Sequence, residues 1–351
     1  MSFTPYNAPL LGSLLGDHEA ASRFGVQADI KAMLEFEIAL ANAQSDIGMI
    51  SSEAAQSIAN ALSSYEADIK ALSQSSAIDG MAVPGLIQTL RDLLPEEHKP
   101  SLHLGSTSQD VIDTSAMMRM KSCMKILLNR LTELDNALQQ VHAKNASNAF
   151  MAYTRMQAAL PSRAGERINA WLNPLKTSQA KSAFLQFPVQ LGGPIASSEA
   201  YDGNRAVLTV NIASRLEIDA SDHVWHSDRS VIVEIGNWLS ILSGHLGKMG
   251  TDICLMAQMG ERQIKLNGGG TSSAMAHKQN PVLAETLVTI AKFNALQASG
   301  LHHSLLHEQE RSGSAWMLEW MIMPQLFVTT AAALRNATHL VASIEQIGEP
   351  S

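Results

Sequence analysis

Only two cysteines, Cys123 and Cys254, occur in 351 residues, so the chain can build neither a disulfide framework nor a cysteine-based zinc site. Reduced thiols in a cytoplasmic protein are the simplest expectation. Charge is scarce as well: Asp, Glu, Lys and Arg make up 17% of the chain, against about a quarter in ordinary soluble domains. The balance is acidic, net −8 at pH 7, and no basic stripe with interleaved aromatics is present, which argues against nucleic-acid binding. No stretch reads as a membrane span. The opening, Met1-Ser-Phe-Thr-Pro-Tyr6, lacks the basic and then apolar regions of a signal peptide. Internal repeats and clustered metal-ligand spacings are also missing, so neither a metal nor an organic cofactor is called for. Against these absences, 46% of the residues are hydrophobic. With so little charge, some faces must be buried against other chains, and an oligomer is expected.

Nearly every segment has helical rather than alternating periodicity. The clearest is Met117, Met120, Met124, Leu127, Leu131, Leu134, Leu138 and Val141, a heptad seam on a helix from about Gln109 to Asn145. Such a helix is about 55 Å long and needs partners of similar length, which implies a bundle. Further helices are expected from Asp228 to Met259, Pro281 to Leu301 and Ser312 to Ile344. Shorter ones are expected from Asp17 to Asp46, Ser51 to Ser73 and Pro84 to Leu94. The turn-rich Pro95–Pro100 then separates a small helical domain, 1–98, from a central long-helix domain, 99–345, with 346–351 a frayed tail. The fold class is all-α.

The densest chemistry lies in Gly268-Gly-Gly-Thr-Ser-Ser-Ala-Met-Ala-His-Lys-Gln-Asn-Pro281. Gly268, Gly269 and Gly270 suit a segment that folds over a ligand and releases it. Ser272 and Ser273 offer hydroxyls, Lys278 a cation and Asn280 an amide, while Pro281 suits the first turn of a following helix. A plain Gly/Ser linker would not need Met275, His277, Lys278 and Asn280 at one place. Earlier, Ser101-Leu-His-Leu-Gly-Ser-Thr-Ser-Gln-Asp110 sets His103, Gly105, Thr107 and Ser108 before the seam helix. There the free N–H groups and the positive end of the dipole favour an anion, although simple capping by Thr107 or Ser108 would use the same residues.

The run Ser-Ser-x-Met-x-x-Lys-x-Asn-Pro resembles the signature of the fumarase/aspartase superfamily, which includes argininosuccinate and adenylosuccinate lyases. Ala276, where a proline is usual, is a departure. The His103 segment resembles the superfamily's His-x-Gly-x-Thr-Ser-x-Asp region, in which Thr and Ser bind a substrate carboxylate. Thr154-Arg-Met-Gln-Ala-Ala-Leu-Pro161 resembles its Thr-His-x-Gln-x-Ala-x-Pro element, with Arg155 where many members carry a proton-moving histidine. Three further segments are similar to the bacterial 3-carboxy-cis,cis-muconate cycloisomerase branch: Val189-Gln-Leu-Gly-Gly193, Trp225-His-Ser-Asp-Arg229, and Glu310-Arg-Ser-Gly-Ser-Ala-Trp-Met-Leu-Glu-Trp320. The superfamily's C-terminal helical domain is expected to be mostly absent.

What the resemblance implies is a cytoplasmic homotetramer with sites shared between subunits, acting on a small tricarboxylate beside one of its carboxylates. Ser272 is then the proton-transfer residue, although the residues alone leave Ser273 as a rival. Thr107, Ser108, Arg155, Gln157, Lys278, Asn280, His103, Arg229 and Arg311 are the expected substrate ligands, with Ser273 and Gly270 supporting. Glu285, five residues beyond Asn280, is expected to pair with Arg155 or share its contact with substrate. The implied reaction closes 3-carboxy-cis,cis-muconate to 4-carboxymuconolactone in protocatechuate degradation. A fumarate-releasing lyase is the second reading, and a non-catalytic helical oligomer resembling the superfamily's lens proteins the third.

Overall fold

In the computed structural model, residues 4–350 are described apart from 198, 200, 259–262 and 276. The short helices α1 (Gly12–Leu15) and α2 (His18–Ser22) lead into α3 (Val26–Asp46), α4 (Ser52–Ser63), α5 (Ile69–Asp79) and α6 (Val83–Asp92). Then come the seam helix α7 (Ser108–Asn145), a hairpin of β1 (Ala149–Thr154) and β2 (Gln157–Arg163), α8 (Ala164–Ser182) and α9 (Arg205–Leu216). The remaining long helices are α10 (Ser230–Met256), α11 (Val282–His303) and α12 (Gly313–Ala342). Between and after them lie β3 (Ile264–Leu266), β4 (Gly270–Thr271), β5 (Gln279–Asn280) and β6 (Ile344–Ile347). Among the described residues the three sheets are each two-stranded, so the all-α class stands.

The seam positions Met117 to Leu138 are buried in one apolar cluster with α8, α10, α11 and α12. Spacing of three and four residues keeps them on one stripe of α7, and that stripe becomes the wall the other helices pack on. The helices α10 and α11 run antiparallel at close range, because a Cβ at Gly250 would lie 2.5 Å from the Ala284 carbonyl oxygen. A second cluster joins α3, α4 and α6 to Val189, Leu191, Tyr201 and α9.

Several expectations change at helix boundaries. The helix expected from Asp17 to Asp46 is interrupted before α3, where Gly25 is the N-cap, and that from Ser51 to Ser73 breaks before α5, where Asp68 caps by accepting from the Ala71 N–H at 3.0 Å. Met259, the expected end of α10, lies outside the described residues. The tail, expected to fray, is paired as far as Glu349: β6 pairs with β3, and Ala149 and Glu349 exchange backbone hydrogen bonds of 2.8 and 2.9 Å. Nor is the chain without a span-like stretch. Helix α12 is long and apolar enough to cross a membrane, but 67% of that stretch is buried, as befits a bundle's inner helix.

The helices α7, α10 and α12 all begin at one end of the bundle, where a buried ionic cluster joins them. Arg229 is 1% exposed and donates to Asp113 (2.7 and 3.0 Å) and to Glu319 (2.6 and 2.9 Å), each through two nitrogens. Its guanidinium also lies 4.8 Å from the Trp225 ring centre, and Trp316 Nε1 donates to Asp113 at 2.9 Å. Burial alone would raise the Asp113 carboxyl, but Arg229 outweighs it and holds the group below its ordinary value. For Glu319 burial wins, and its carboxyl sits above the ordinary value.

Removing one partner from such a cluster strands the others without water. Replacing Arg229→Met should lower unfolding stability by about 3–5 kcal/mol, read from chemical denaturation. A loss under ~1 kcal/mol would show that the cluster does not hold the three helix starts together.

Candidate active site

The Arg229 end of the bundle holds the first group of expected site residues. Thr107 and Asp110 form a reciprocal capping box at the start of α7, and Asp110 also receives the N–H groups of Gly192 (2.8 Å) and Gly193 (3.0 Å). The His226 Nε2 lies 2.8 Å from the same carboxylate. This ties Val189–Gly193 and Trp225–Arg229 to the α7 start, so three separate sequence motifs meet here. Ser108 is the first residue of α7 and half-buried. The Arg311 side chain crosses the helix start: Nε donates to Gln109 Oε1 at 2.8 Å, and one terminal nitrogen reaches Thr107 Oγ1 (3.3 Å) and the Pro194 carbonyl (3.4 Å). Among the described residues Arg311 forms no ion pair. A permanent cation therefore stands beside the positive end of a 38-residue helix, an arrangement that favours an anion between them.

His103 Nδ1 lies 2.6 Å from Glu37 Oε1 on α3, with φ 62° at its backbone. Burial would lower the imidazole pKa, but the Glu37 carboxylate outweighs it and raises the pKa above its ordinary value. Through this contact His103 anchors the loop before α7 to the small helices. Arg229 is a correction: expected as a substrate ligand, it is sealed between Asp113 and Glu319 and presents nothing to a ligand.

The other expected residues lie at the opposite end, about 57 Å along α7 at 1.5 Å per residue. The hairpin β1–β2, the strand pair β3–β6 and the last turn of α7 meet there, with Ile347 N–H donating to Asn145 Oδ1 at 3.0 Å and Asn148 donating to the Ile347 carbonyl at 2.8 Å. The glycine-led loop leaves β3 at this end. Gly268 takes φ 90°, and β4 pairs with β5, so Gly270 faces Asn280 and closes the loop's neck. Within it, Ser272 Oγ accepts the N–H groups of Ala274 (3.3 Å) and Met275 (3.1 Å). Two N–H dipoles directed at one hydroxyl oxygen favour negative charge on it. Ser273, Lys278 and His277 are exposed, and Ala276 lies outside the described residues.

Arg155 and Met156 form the two-residue tip of the hairpin at φ 46° and 67°, with Gln157 beside them donating to the Met156 carbonyl at 3.1 Å. All three side chains are exposed. The expected ion pair between Arg155 and Glu285 is not formed within the chain. Glu285, exposed on the first turn of α11, faces Cys254 and raises its thiol pKa further after burial, whereas the hairpin carries Arg155 off the end of the bundle. Neither cysteine is an activated nucleophile, since burial pushes Cys123 up to about 12. A single chain thus gathers Thr107, Ser108, His103 and Arg311 at one end, and at the other carries Ser272, Lys278 and Asn280 on the loop, Arg155 on the hairpin tip and Glu285 on α11.

Sequence reading missed Gln109, Asp110 and Asp113, which shape the first end. Asp110 was visible as the acidic N3 residue of a Thr-x-x-Asp box; Asp113 and Gln109 carry no local signal, because their partners are about 80 to 200 residues away.

The fold is a long-helix bundle with cations and hydroxyls at both ends. The Lyase family model matches residues 17–294, most of the chain, and the protein belongs to this family, the fumarase/aspartase superfamily. It is an enzyme of the intramolecular lyase or isomerase type. A 3-carboxy-cis,cis-muconate cycloisomerase of Acinetobacter baylyi is 29% identical over 96% of this chain and 77% of the relative. The crystal structure of the 3-carboxy-cis,cis-muconate lactonizing enzyme from Pseudomonas putida superposes with TM-score 0.88 at 27% identity, covering 97% of this chain and 77% of that one. A nitrosuccinate lyase of Streptomyces davaonensis is likewise 29% identical, over 90% of this chain and 70% of the relative.

The hairpin tip is costly: a primed two-residue turn prefers Asn-Gly, and Arg and Met in left-handed backbone each cost about 1 kcal/mol. The double change Arg155→Asn with Met156→Gly should therefore raise the melting temperature by a few degrees while turnover falls at least ~100-fold. Unchanged turnover would refute a functional role for the tip.

Proposed function

We propose that the enzyme closes 3-carboxy-cis,cis-muconate to 4-carboxymuconolactone. One observation carries this reading. Among the described residues of the loop, Ser272 is the hydroxyl held in an N–H cradle, while Arg155, where many superfamily members carry a proton-moving histidine, is a permanent cation that cannot act as an acid or base near neutrality. Such a site supplies a single proton transfer. Lactonisation needs no more, because its nucleophile is a carboxylate of the substrate itself.

In the proposed step a carboxylate oxygen attacks across the conjugated double bond and a C–O bond forms. Electron density moves onto the far carboxylate as an aci-carboxylate, and the carbon beside it takes the Ser272 proton. Water restores that proton when the loop opens, so one proton is consumed and one carboxylate charge disappears. Lys278, Asn280 and the α7 start with Thr107 and Ser108 would stabilise the developing charge. With Arg229 removed from the ligands, Arg155, Lys278 and Arg311 remain for three carboxylates. Gln157 and His103 would complete the walls, and Ser273, Gly270 and Glu285 would shape the loop and the helix behind it. This division of groups between two bundle ends is the basis for a homotetramer whose sites combine residues of different copies. A second reading, release of an unsaturated dicarboxylate from a substituted succinate, is favoured by the similarity to the nitrosuccinate lyase.

Purified protein should remove the diene absorbance of 3-carboxy-cis,cis-muconate. Ser272→Ala should reduce that rate at least ~1,000-fold at unchanged helicity, and Ser273→Ala less than ~10-fold. Loss with Ser273→Ala instead would move the assignment, and fumarate release from nitrosuccinate without diene loss would replace the reaction.

Shared sites have their own signature. Inactive Ser272→Ala and Arg311→Ala proteins, unfolded together and refolded at equal amounts, should regain about a quarter of wild-type activity, since half the loops and half the helix starts are intact. No recovery would show that each chain carries a whole site.

A further inference from the structure

Gln109 is fully buried, and its amide is fixed from both sides. Its Nε2 donates to two groups that can only accept, Asp113 Oδ2 at 3.2 Å and the His226 carbonyl at 2.9 Å. The amide therefore cannot turn over, and Oε1 must face the other way, where it accepts from Arg311 Nε at 2.8 Å. Arg311 has five N–H donors. Nε is held by Gln109, and one terminal nitrogen faces Thr107 Oγ1 and the Pro194 carbonyl. Among the described residues the second terminal nitrogen has no acceptor, so it is the donor a ligand would meet.

We propose that Gln109 is a positioning residue that aims Arg311 at a substrate carboxylate. It links the sealed cluster of Arg229, Asp113 and Glu319 to the ligand-facing guanidinium, so the rigid end of the bundle sets the direction of the cation. This rests on Arg311 being a carboxylate ligand, as above. Without Gln109 the guanidinium loses the bond to Nε, turns on its flexible stem, and binds a carboxylate through fewer donors. The alignment is a binding effect, so it acts on KM more than on kcat.

Tricarballylate, a saturated tricarboxylate, serves as the probe by calorimetry, with KM and kcat for 3-carboxy-cis,cis-muconate measured alongside. Gln109→Leu should weaken tricarballylate binding and raise KM about 10-fold or more, the range for a hydrogen bond to a charged group, with kcat within about threefold. In Arg311→Ala, adding Gln109→Leu should change affinity less than about twofold, because Gln109 acts only through Arg311. Equal losses from Gln109→Leu in both backgrounds, or a loss in kcat alone, would overturn the proposal. So would tricarballylate binding that does not depend on Arg311. If Gln109→Leu does not fold, wild-type protein labelled with nitrogen-15 at arginine Nε decides. Slow hydrogen exchange at Arg311 Nε–H supports the proposal, and exchange as fast as in free arginine overturns it. Arg311-dependent coupling without turnover of the muconate would leave the proposal standing and remove the substrate assignment.

Discussion

The contact on which the rest of the structure depends is the guanidinium of Arg229 between Asp113 and Glu319. Each of the three groups belongs to the start of a different long helix, and none has access to water. Desolvating them is expensive, so the cluster is not retained for stability alone; a set of apolar side chains of the same volume would be as stable. What an ionic cluster adds is direction. Two bidentate pairs fix donor and acceptor directions among α7, α10 and α12, which apolar side chains do not. From that fixed point, Gln109 and Asp110 extend outward and set where Arg311, the glycine turn at Gly192 and Gly193, and the N–H groups of α7 face.

The same helix that benefits from this anchoring separates the chemistry. Ser272 and Lys278 sit at the far end of a bundle about 57 Å long, beyond the reach of any side chain at Thr107. A loop of fourteen residues cannot cross that distance, since its ends are held together by the pairing of β4 with β5. Antiparallel association of copies would bring one end of a bundle to the other end of its neighbour. Exposed apolar residues along α11 and α12, including Leu296 (74%) and Met321 (66%), are where the low charge content of the chain surfaces.

How much of this was legible in the sequence follows from the range of each interaction. The α7 seam was readable because burial there repeats every three or four residues, and a period survives without knowing the partner. The lone charges were less readable. Arg229 and Arg311 both stand in motifs with tryptophans and acids, and nothing local distinguishes the one that pairs inward from the one that faces outward. The difference is made by Asp113 and Glu319, which lie 116 and 90 residues away from Arg229. The hairpin escaped for another reason. Its tip carries Arg-Met instead of Asn-Gly, so the usual turn signal is missing where the backbone turns most tightly.

That missing signal also bears on how the loop and the hairpin divide the work. Arg155 is displayed by strain, in a conformation that a long side chain adopts only when the strands on both sides enforce it. Ser272 is displayed by the reverse device, glycines that give the loop freedom and a short pairing that closes its neck. On the proposed lactonisation, a cation on an enforced turn suits a carboxylate that must stay in place while the ring closes, and a hydroxyl on a glycine-led loop suits a proton given in a dry site and recovered from water. The two ends of the bundle then differ in kind: one is held by buried charge and, on that proposal, receives the substrate, while the loop at the other would close over it.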